Sequence, residues 1–293
     1  MSTLANKIDF EVVFSVTDAN PNGDPLSGNR PRTNSQGHGE MSDVCIKRKI
    51  RNRLQDMGEK IFVQSNDRCD DKCDSLKTRV DSCAELNKKG ISNKEFADIA
   101  CEKWIDVRSF GQVFAFKGDN ASVGVRGPVS VSIAKSVSPI DIVSMQITKS
   151  VNGESGKNGK SSDTMGTKHH IEFGLYVFKG SINCQLAEKT GFSDEDAEKI
   201  KNALVTLFEN DCSSARPEGS MQVCRVYWWK HDSKTPKVSS ARIHNSVKIT
   251  EKSSLNGRTP MSIEDYDIVF NNPDGAVPVS YTHLRAHETV LDL

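Results

Sequence analysis

Residues 9–16 alternate with a period of two: Phe10, Val12, Phe14 and Val16 fall on one side, Glu11, Val13 and Ser15 on the other. Successive side chains of a strand point to opposite faces, so this run predicts a strand with one face on a core. It ends abruptly in Asp18-Ala-Asn-Pro-Asn-Gly-Asp-Pro25, turn formers that neither helix nor strand absorbs. The chain must therefore leave a buried strand directly into a long polar loop, which continues through Gly39.

Regular structure resumes at Ser42, a good N-cap, after which Ile46, Ile50, Leu54 and Met57 recur at three and four residues. Lys47, Arg48, Arg51 and Arg53 fall largely off that stripe. The pattern predicts an amphipathic helix that packs on a sheet and turns its cations outward. Residues 66–103 are charged and helix-prone, with Phe96, Ile99, Ala100 and Trp104 helically spaced, and read as an inserted group of short helices.

β-like stretches follow at 107–116 and 125–137. Two further β-prone arms, 140–150 and 168–175, flank a polar tip at 151–163 that has no apolar residue after Val151 and cannot build a core of its own. Residues 139–174 thus predict a protruding hairpin. Ser193 caps a second helix, with Asp194, Glu195 and Asp196 in its first turn and Ile200, Leu204, Leu207 and Phe208 on its buried face, and an alternating strand spans 221–229. Strand, basic helix, strands, helix, strand is the order of an α+β, ferredoxin-like βαββαβ unit carrying insertions.

Composition narrows the function classes. Lys plus Arg and Asp plus Glu both total 39, so net charge indicates no polyanionic partner, but residues 28–53 hold seven basic residues against two acidic ones. Eight cysteines in a chain of 293 residues without a secretory signal read as reduced thiols, and Cys69, Cys73, Cys83 and Cys101 spread too widely for a paired zinc knuckle. No apolar run approaches the roughly 20 residues of a membrane helix, and the expected location is cytoplasmic. No cofactor or metal is expected. The sequence carries no G-x-S-x-G, H-E-x-x-H or Walker GxxxxGK[ST] pattern, which lowers the prior for an enzyme.

Candidate chemistry is confined to three places. His169 and His170 are neighbours in a strand and point to opposite faces, which disfavours a shared metal. Asp18, Asp24 and Asp43 are acids near the first loop, with a plainer reading as turn formers and a helix first-turn carboxylate. Arg30 and Arg32, set among Gly28, Gly37 and Gly39 beside the cationic helix, are equipment for wrapping phosphates without reading bases, and Arg126 adds a cation at a strand start.

The segment Asn20-Pro-Asn-Gly-Asp-Pro25, then Gly28-Asn-Arg-Pro-Arg32, then Ser42-Asp-Val-Cys-Ile-Lys-Arg-Lys-Ile-Arg-Asn52 resembles the backbone subunit of the type I-C CRISPR Cascade complex. Further matches are Asp106-Val-Arg-Ser-Phe-Gly111, Val125-Arg-Gly-Pro128, Gln146-Ile-Thr-Lys-Ser150, Met165-Gly-Thr-Lys-His169, Thr190-Gly-Phe-Ser193 and Phe208-Glu-Asn-Asp211. The resemblance implies an RRM-like palm of the RAMP superfamily, one domain over 1–278, with a helical insertion near 66–103 and a thumb hairpin near 139–174. It implies a non-catalytic subunit that polymerises along crRNA beside other copies of itself and other Cascade subunits, and meets target DNA only through the guide. It assigns RNA contact to Arg30, Arg32, Lys47, Arg48, Arg51, Arg126, Lys149, Lys168 and His169. Lys149 stands where many relatives have arginine, which keeps the charge but not the bidentate fork. Arg108 is a structural alternative.

The resemblance stops near Pro278, and residues 279–293 are similar to foreign tails appended by assembly errors, so His283 and His287 enter no site. Two rivals remain: a metal-dependent ribonuclease using Asp24 or Asp18, and a guide-processing nuclease using His169 or His170 as acid or base.

Overall fold

The alternating strand, β1 (Ile8–Ala19), lies in the interior of an antiparallel sheet, paired along nearly its whole length on both sides. The computed structural model describes residues 2–116, 122–148, 165–277 and 279–283. After β1 come β2 (Gly23–Asp24), β3 (Arg30–Pro31) and β4 (His38–Met41), then α1 (Asp43–Asp56), α2 (Leu76–Asp81), α3 (Asn93–Lys103) and α4 (Ile105–Phe110). Next are β5 (Gln112–Phe114), β6 (Val123–Val125), β7 (Val129–Val131), β8 (Ala134–Pro139), β9 (Ile142–Thr148) and β10 (Met165–Ile182). The chain continues through α5 (Cys184–Thr190), α6 (Asp194–Val205), β11 (Met221–Lys230), α7 (Ser240–His244), β12 (Val247–Glu251), β13 (Tyr266–Phe270) and β14 (Ser280–His283). No described helix is long and apolar enough to cross a membrane.

The main sheet runs β14-β11-β1-β10-β8-β4, with β7 and β9 also on β10. The fold is α+β. Phe10, Val12, Phe14 and Val16 pack beneath α1 and α6 with Ile46, Ile50, Ile200 and Leu204 in one buried cluster. Phe10 stacks on Trp228 and Phe14 on Tyr176. Ser193 and Asp196 form a reciprocal capping box that starts α6 where its acidic first turn predicts. The other sheet face is covered by α7 and the β12–β13 pair through Val13, Leu175, Tyr227, Trp229, Ile243 and Tyr266.

The inserted helices hold a satellite core, Phe62, Val80, Cys83, Leu86, Ala100, Trp104 and Phe114. Buried Arg79 staples it, donating to Phe62 O at 2.8 Å and Asp71 Oδ1 at 2.8 Å. Arg108 forks onto Asp196 at 3.0 and 2.7 Å, joining this unit to α6.

Two strand expectations differ from the structure. The stretch expected at 107–116 is α4 through Phe110 and only then a short strand, because buried Asp106 and Arg108 are tied to groups remote in sequence, and Gly111 at φ 79 ends the helix. The stretch at 125–137 is broken into β6, β7 and β8. Ser132 takes two hydrogen bonds with Lys179 in place of the ladder, which leaves Ile133 46% exposed rather than in the core.

On the second face Glu11 is buried opposite Lys179, whose Nζ lies 3.8 Å from Oε2. Burial raises the carboxyl from 4.5 to about 7, and Lys179 offsets only part of that. Between those values the folded chain keeps a proton that the unfolded chain has released, so this group's contribution to stability is lost as pH rises through 7. Glu11→Gln should therefore gain on the wild type between pH 5 and pH 8, by about 2–3 kcal/mol in urea unfolding. A difference that does not change with pH would refute the assignment.

Candidate nucleic-acid interface

Ser42 caps α1, its hydroxyl accepting from the Cys45 N–H at 3.3 Å, and Ile46, Ile50 and Leu54 form the buried stripe. The cations expected to turn outward, Lys47, Arg48, Arg51 and Arg53, do not project freely, and Lys49 is buried with the stripe itself. Lys49 is 3% exposed and ion-paired with Asp211, and burial lowers its pKa while Asp211 partly restores it. Arg51 donates from Nε to Asp106 Oδ2 at 3.0 Å, and its guanidinium lies 5.0 Å from the Phe110 ring centre.

Asp106 is fully buried and also accepts from the Phe62 N–H at 2.7 Å and the Val63 N–H at 3.0 Å. Arg48 donates to Val63 O, and its pKa is lowered by burial and then by Arg51. Arg53 bonds Thr206 Oγ1 and Glu209 Oε2, each at 2.7 Å, and Lys47 turns back to Asp43 at 3.0 Å. The helix's polar side is thus packed by residues 61–63, by α4 and by the segment after α6. Its cations staple those pieces together.

The loop after β1 is built rather than loose. Asp24 caps a short 3-10 turn, its Oδ1 accepting from Leu26 N–H at 3.2 Å and its Oδ2 from Ser27 Oγ at 3.0 Å, and Arg32 Nη2 lies 3.4 Å from Oδ1. Gly28 and Asn29 both take left-handed backbone, which a glycine and an asparagine accommodate most readily. Asn22 Oδ1 accepts from the Ser42 N–H at 3.0 Å, fastening the loop to the start of α1. Asp18 is exposed, Asp43 is held by Lys47, and among the described residues no three acids, histidines or cysteines are placed to share a metal.

The arms expected at 140–150 and 168–175 include the paired strands β9 and β10, in register from Thr148 opposite Met165 to Ile142 opposite Ile171. Lys149 and the tip at 151–163 lie outside the described residues. His169 faces Ser144, whose hydroxyl is 2.9 Å from Nδ1, and exposed Arg30 donates to the same hydroxyl at 3.1 Å. Ser144 therefore brings Arg30 and His169 together. Lys168 and His170 alternate to the other face of the ribbon, and Lys168 is exposed.

Arg126 sits apart from that group. It is exposed between β6 and β7, beside Gly127, where a Cβ would lie 2.3 Å from Ser109 O and 2.4 Å from Gly111 N. That close approach places Arg126 at the end of α4, the helix whose Phe110 underlies Arg51. Sequence reasoning named Arg30, His169 and Arg126 but missed Ser144 and Asp106, which orient them or their neighbours. The alternation of the hairpin arms was the only signal for Ser144.

An antiparallel α+β sheet, a fixed cationic loop at the end of its central strand and a two-stranded arm beside that loop define a protein with an open polar surface rather than an enclosed pocket. The chain belongs to the family described as "CRISPR-associated protein Cas7", whose pattern matches residues 6–271. A relative of that description from Haloferax volcanii is 27% identical over 246 residues, covering 78% of this chain and 70% of its own. Among solved structures, a chain of "CRISPR RNA-guided surveillance complex, pre-nicking" aligns at TM-score 0.50 and 16% identity, covering 81% of both chains, a likeness of fold. A chain of "CRISPR RNA-guided surveillance complex" aligns at TM-score 0.47 and 16% identity, covering 80% of this chain and 72% of its own.

Asp106→Ala should cost about 3–5 kcal/mol, because it strands the Arg51 guanidinium and two buried N–H groups at once. Chemical denaturation measures this, and a loss below about 1 kcal/mol would show that the staple is dispensable.

Proposed function

We propose that this chain is a non-catalytic subunit of a type I-C CRISPR surveillance complex that binds crRNA along its sugar-phosphate backbone and repeats along it. The observation that carries the reading is the joining of Arg30 to His169 through Ser144, which puts a loop cation against the base of the hairpin. A continuous strand of phosphates passing the loop would meet the hairpin next. The strand order β11-β1-β10-β8, with α1 and α6 together on one face, supports an RRM-like palm, and the ordered motifs from Asn20 to Asp211 support the subtype.

Of the cations assigned to RNA, Arg30, Arg126 and Lys168 are exposed among the described residues. Arg32, 39% exposed, and Lys47 contribute from the rim of the loop, each already balanced by an aspartate. Arg48 and Arg51 sit deeper, so their part is a secondary one, played by the edges of guanidiniums already holding Val63 and Asp106. Phosphate contact of this kind grips any spacer equally. Reading sequence falls to the guide, which pairs with target DNA while other copies and other subunits of the complex complete the assembly.

The ribonuclease alternative asks Asp24 to hold a metal, yet its carboxylate already serves Leu26 N–H, Ser27 Oγ and Arg32 as a turn cap. No observation favours that role.

Arg30→Ala, Arg126→Ala and Lys168→Ala combined should weaken binding of any oligoribonucleotide and flatten the dependence of log K on log salt by roughly 0.7 for each phosphate that is no longer neutralised. Fluorescence anisotropy over a salt series tests this. Weakening restricted to one spacer sequence, or an unchanged slope, would overturn backbone recognition. Magnesium and matched RNA given to the assembled complex should yield no cuts that depend on Asp24.

A further inference from the structure

The segment between α6 and β11, residues 206–220, contains no helix or strand, yet it is tied at both ends to the elements that frame the cationic loop. On the helix side, Arg53 holds Thr206 and Glu209, Arg68 donates to Asn210 O at 3.3 Å, and Lys49 is paired with Asp211. Arg216 adds a second cation 3.4 Å from Asp211, and the Phe208 ring lies under the Lys49 ammonium at 5.7 Å and against Phe14 of the core at 5.1 Å. The carboxylate of Asp211 is thus clamped between two cations.

On the loop side the same segment accepts the backbone as β1 ends. Thr17 N–H donates to Ser220 O at 2.8 Å, and Asn20 N–H donates to Ala215 O at 2.9 Å. Asn20 then passes the constraint on, its Nδ2 donating at 2.7 Å to the carbonyl of Asn29, the residue before Arg30. Arg32 is fastened two residues further on, its N–H donating to Asn22 O at 3.1 Å. Hydrogen bonds and short stretches of chain therefore connect the Lys49–Asp211 pair to the two loop arginines.

We infer that Lys49 and Asp211 are positioning residues: their buried pair fixes residues 206–220 as a brace that holds Arg30 and Arg32 at the spacing a phosphate backbone requires. This deepens the RNA-binding reading and rests on it. Lys49 belongs to the basic stretch of the sequence but touches no RNA, and Asp211, an acid within a cationic surface, raises RNA affinity.

That last consequence gives the test its sign. By charge counting alone, Asp211→Asn removes a negative charge beside the cations and tightens RNA binding. A brace predicts the reverse. Asp211→Asn should weaken binding of a single-stranded oligoribonucleotide by about fivefold or more, with the salt slope kept near the wild-type value.

Hydrogen exchange of the full chain without RNA supplies the independent readout: amides of residues 20–32 should exchange about tenfold faster in Asp211→Asn while the middle of β1 and α6 keep their protection. Arg53→Gln, which cuts only the more exposed anchor, should move both readouts the same way by less and guards against a variant that fails to fold. Tighter or equal binding by Asp211→Asn, or loop exchange at the wild-type rate, overturns the brace. A lower salt slope in Lys49→Met with unchanged loop exchange makes Lys49 a phosphate contact instead. Failure of the wild type to bind RNA at low salt sinks the RNA reading, and the exchange data would still judge the brace.

Discussion

Everything in this chain is referred to the double pairing of β1. A strand paired with β10 from Ile8 to Ala19 and with β11 from Ile8 to Val16 has most of its backbone groups satisfied and one apolar face committed to α1 and α6. Where the β11 pairing stops, its end is still anchored, the Thr17 and Asn20 N–H groups donating to Ser220 O and Ala215 O. The turn formers that follow emerge from a fixed anchor, and a loop that starts from such an anchor and is fastened by Asn20, Asn22 and Asp24 loses little entropy when a ligand arrives. Preorganisation of that kind suits the sequence-tolerant binding proposed above, in which phosphate contacts supply affinity without discriminating between sequences.

The electrostatics of α1 qualify what a basic helix means. A cluster of Lys and Arg in sequence reads as a surface for polyanions, yet Lys49 and Arg51 spend their charge on Asp211 and Asp106, and Arg53 on Glu209. Burying a charge is tolerable only with a partner, so each cation recruits an acid from a distant segment and becomes a fastener. The charge asymmetry of residues 28–53 is real at the level of sequence but is largely neutralised from elsewhere in the chain. Of the cations assigned to RNA, those open to solvent among the described residues lie on the loop, the β6–β7 connection and the hairpin arm: Arg30, Arg126 and Lys168.

Much of the framework was legible from local pattern. β1, α1 and α6 were written in alternation, in three-and-four spacing and in the caps Ser42 and Ser193, since each of those signals is satisfied within the element itself. α4 was not, because Ile105 and Val107 are β-branched and its conformation depends on the remote partners of Asp106 and Arg108. The covering of the second sheet face by α7, β12 and β13 likewise gave no strong period. For the interface, residue types around Arg30 and Arg126 could be read directly, whereas the bridging role of Ser144 depends on hairpin register and on contact with a loop 114 positions earlier. Pairings across such separations leave no trace in a single sequence.

The geometry also constrains how one surface can serve loop and hairpin together. His169 and Lys168 lie on opposite faces of the β9–β10 ribbon, so a single strand of phosphates following Arg30 can reach only the His169 face. Lys168, with Met145 and Ile147 half exposed on its own side, is then turned toward whatever lies beyond. In the repeating arrangement proposed above, one face of each arm would close over its own loop's strand and the other would meet the next segment, so the two faces of the ribbon are a feature that the proposal puts to use.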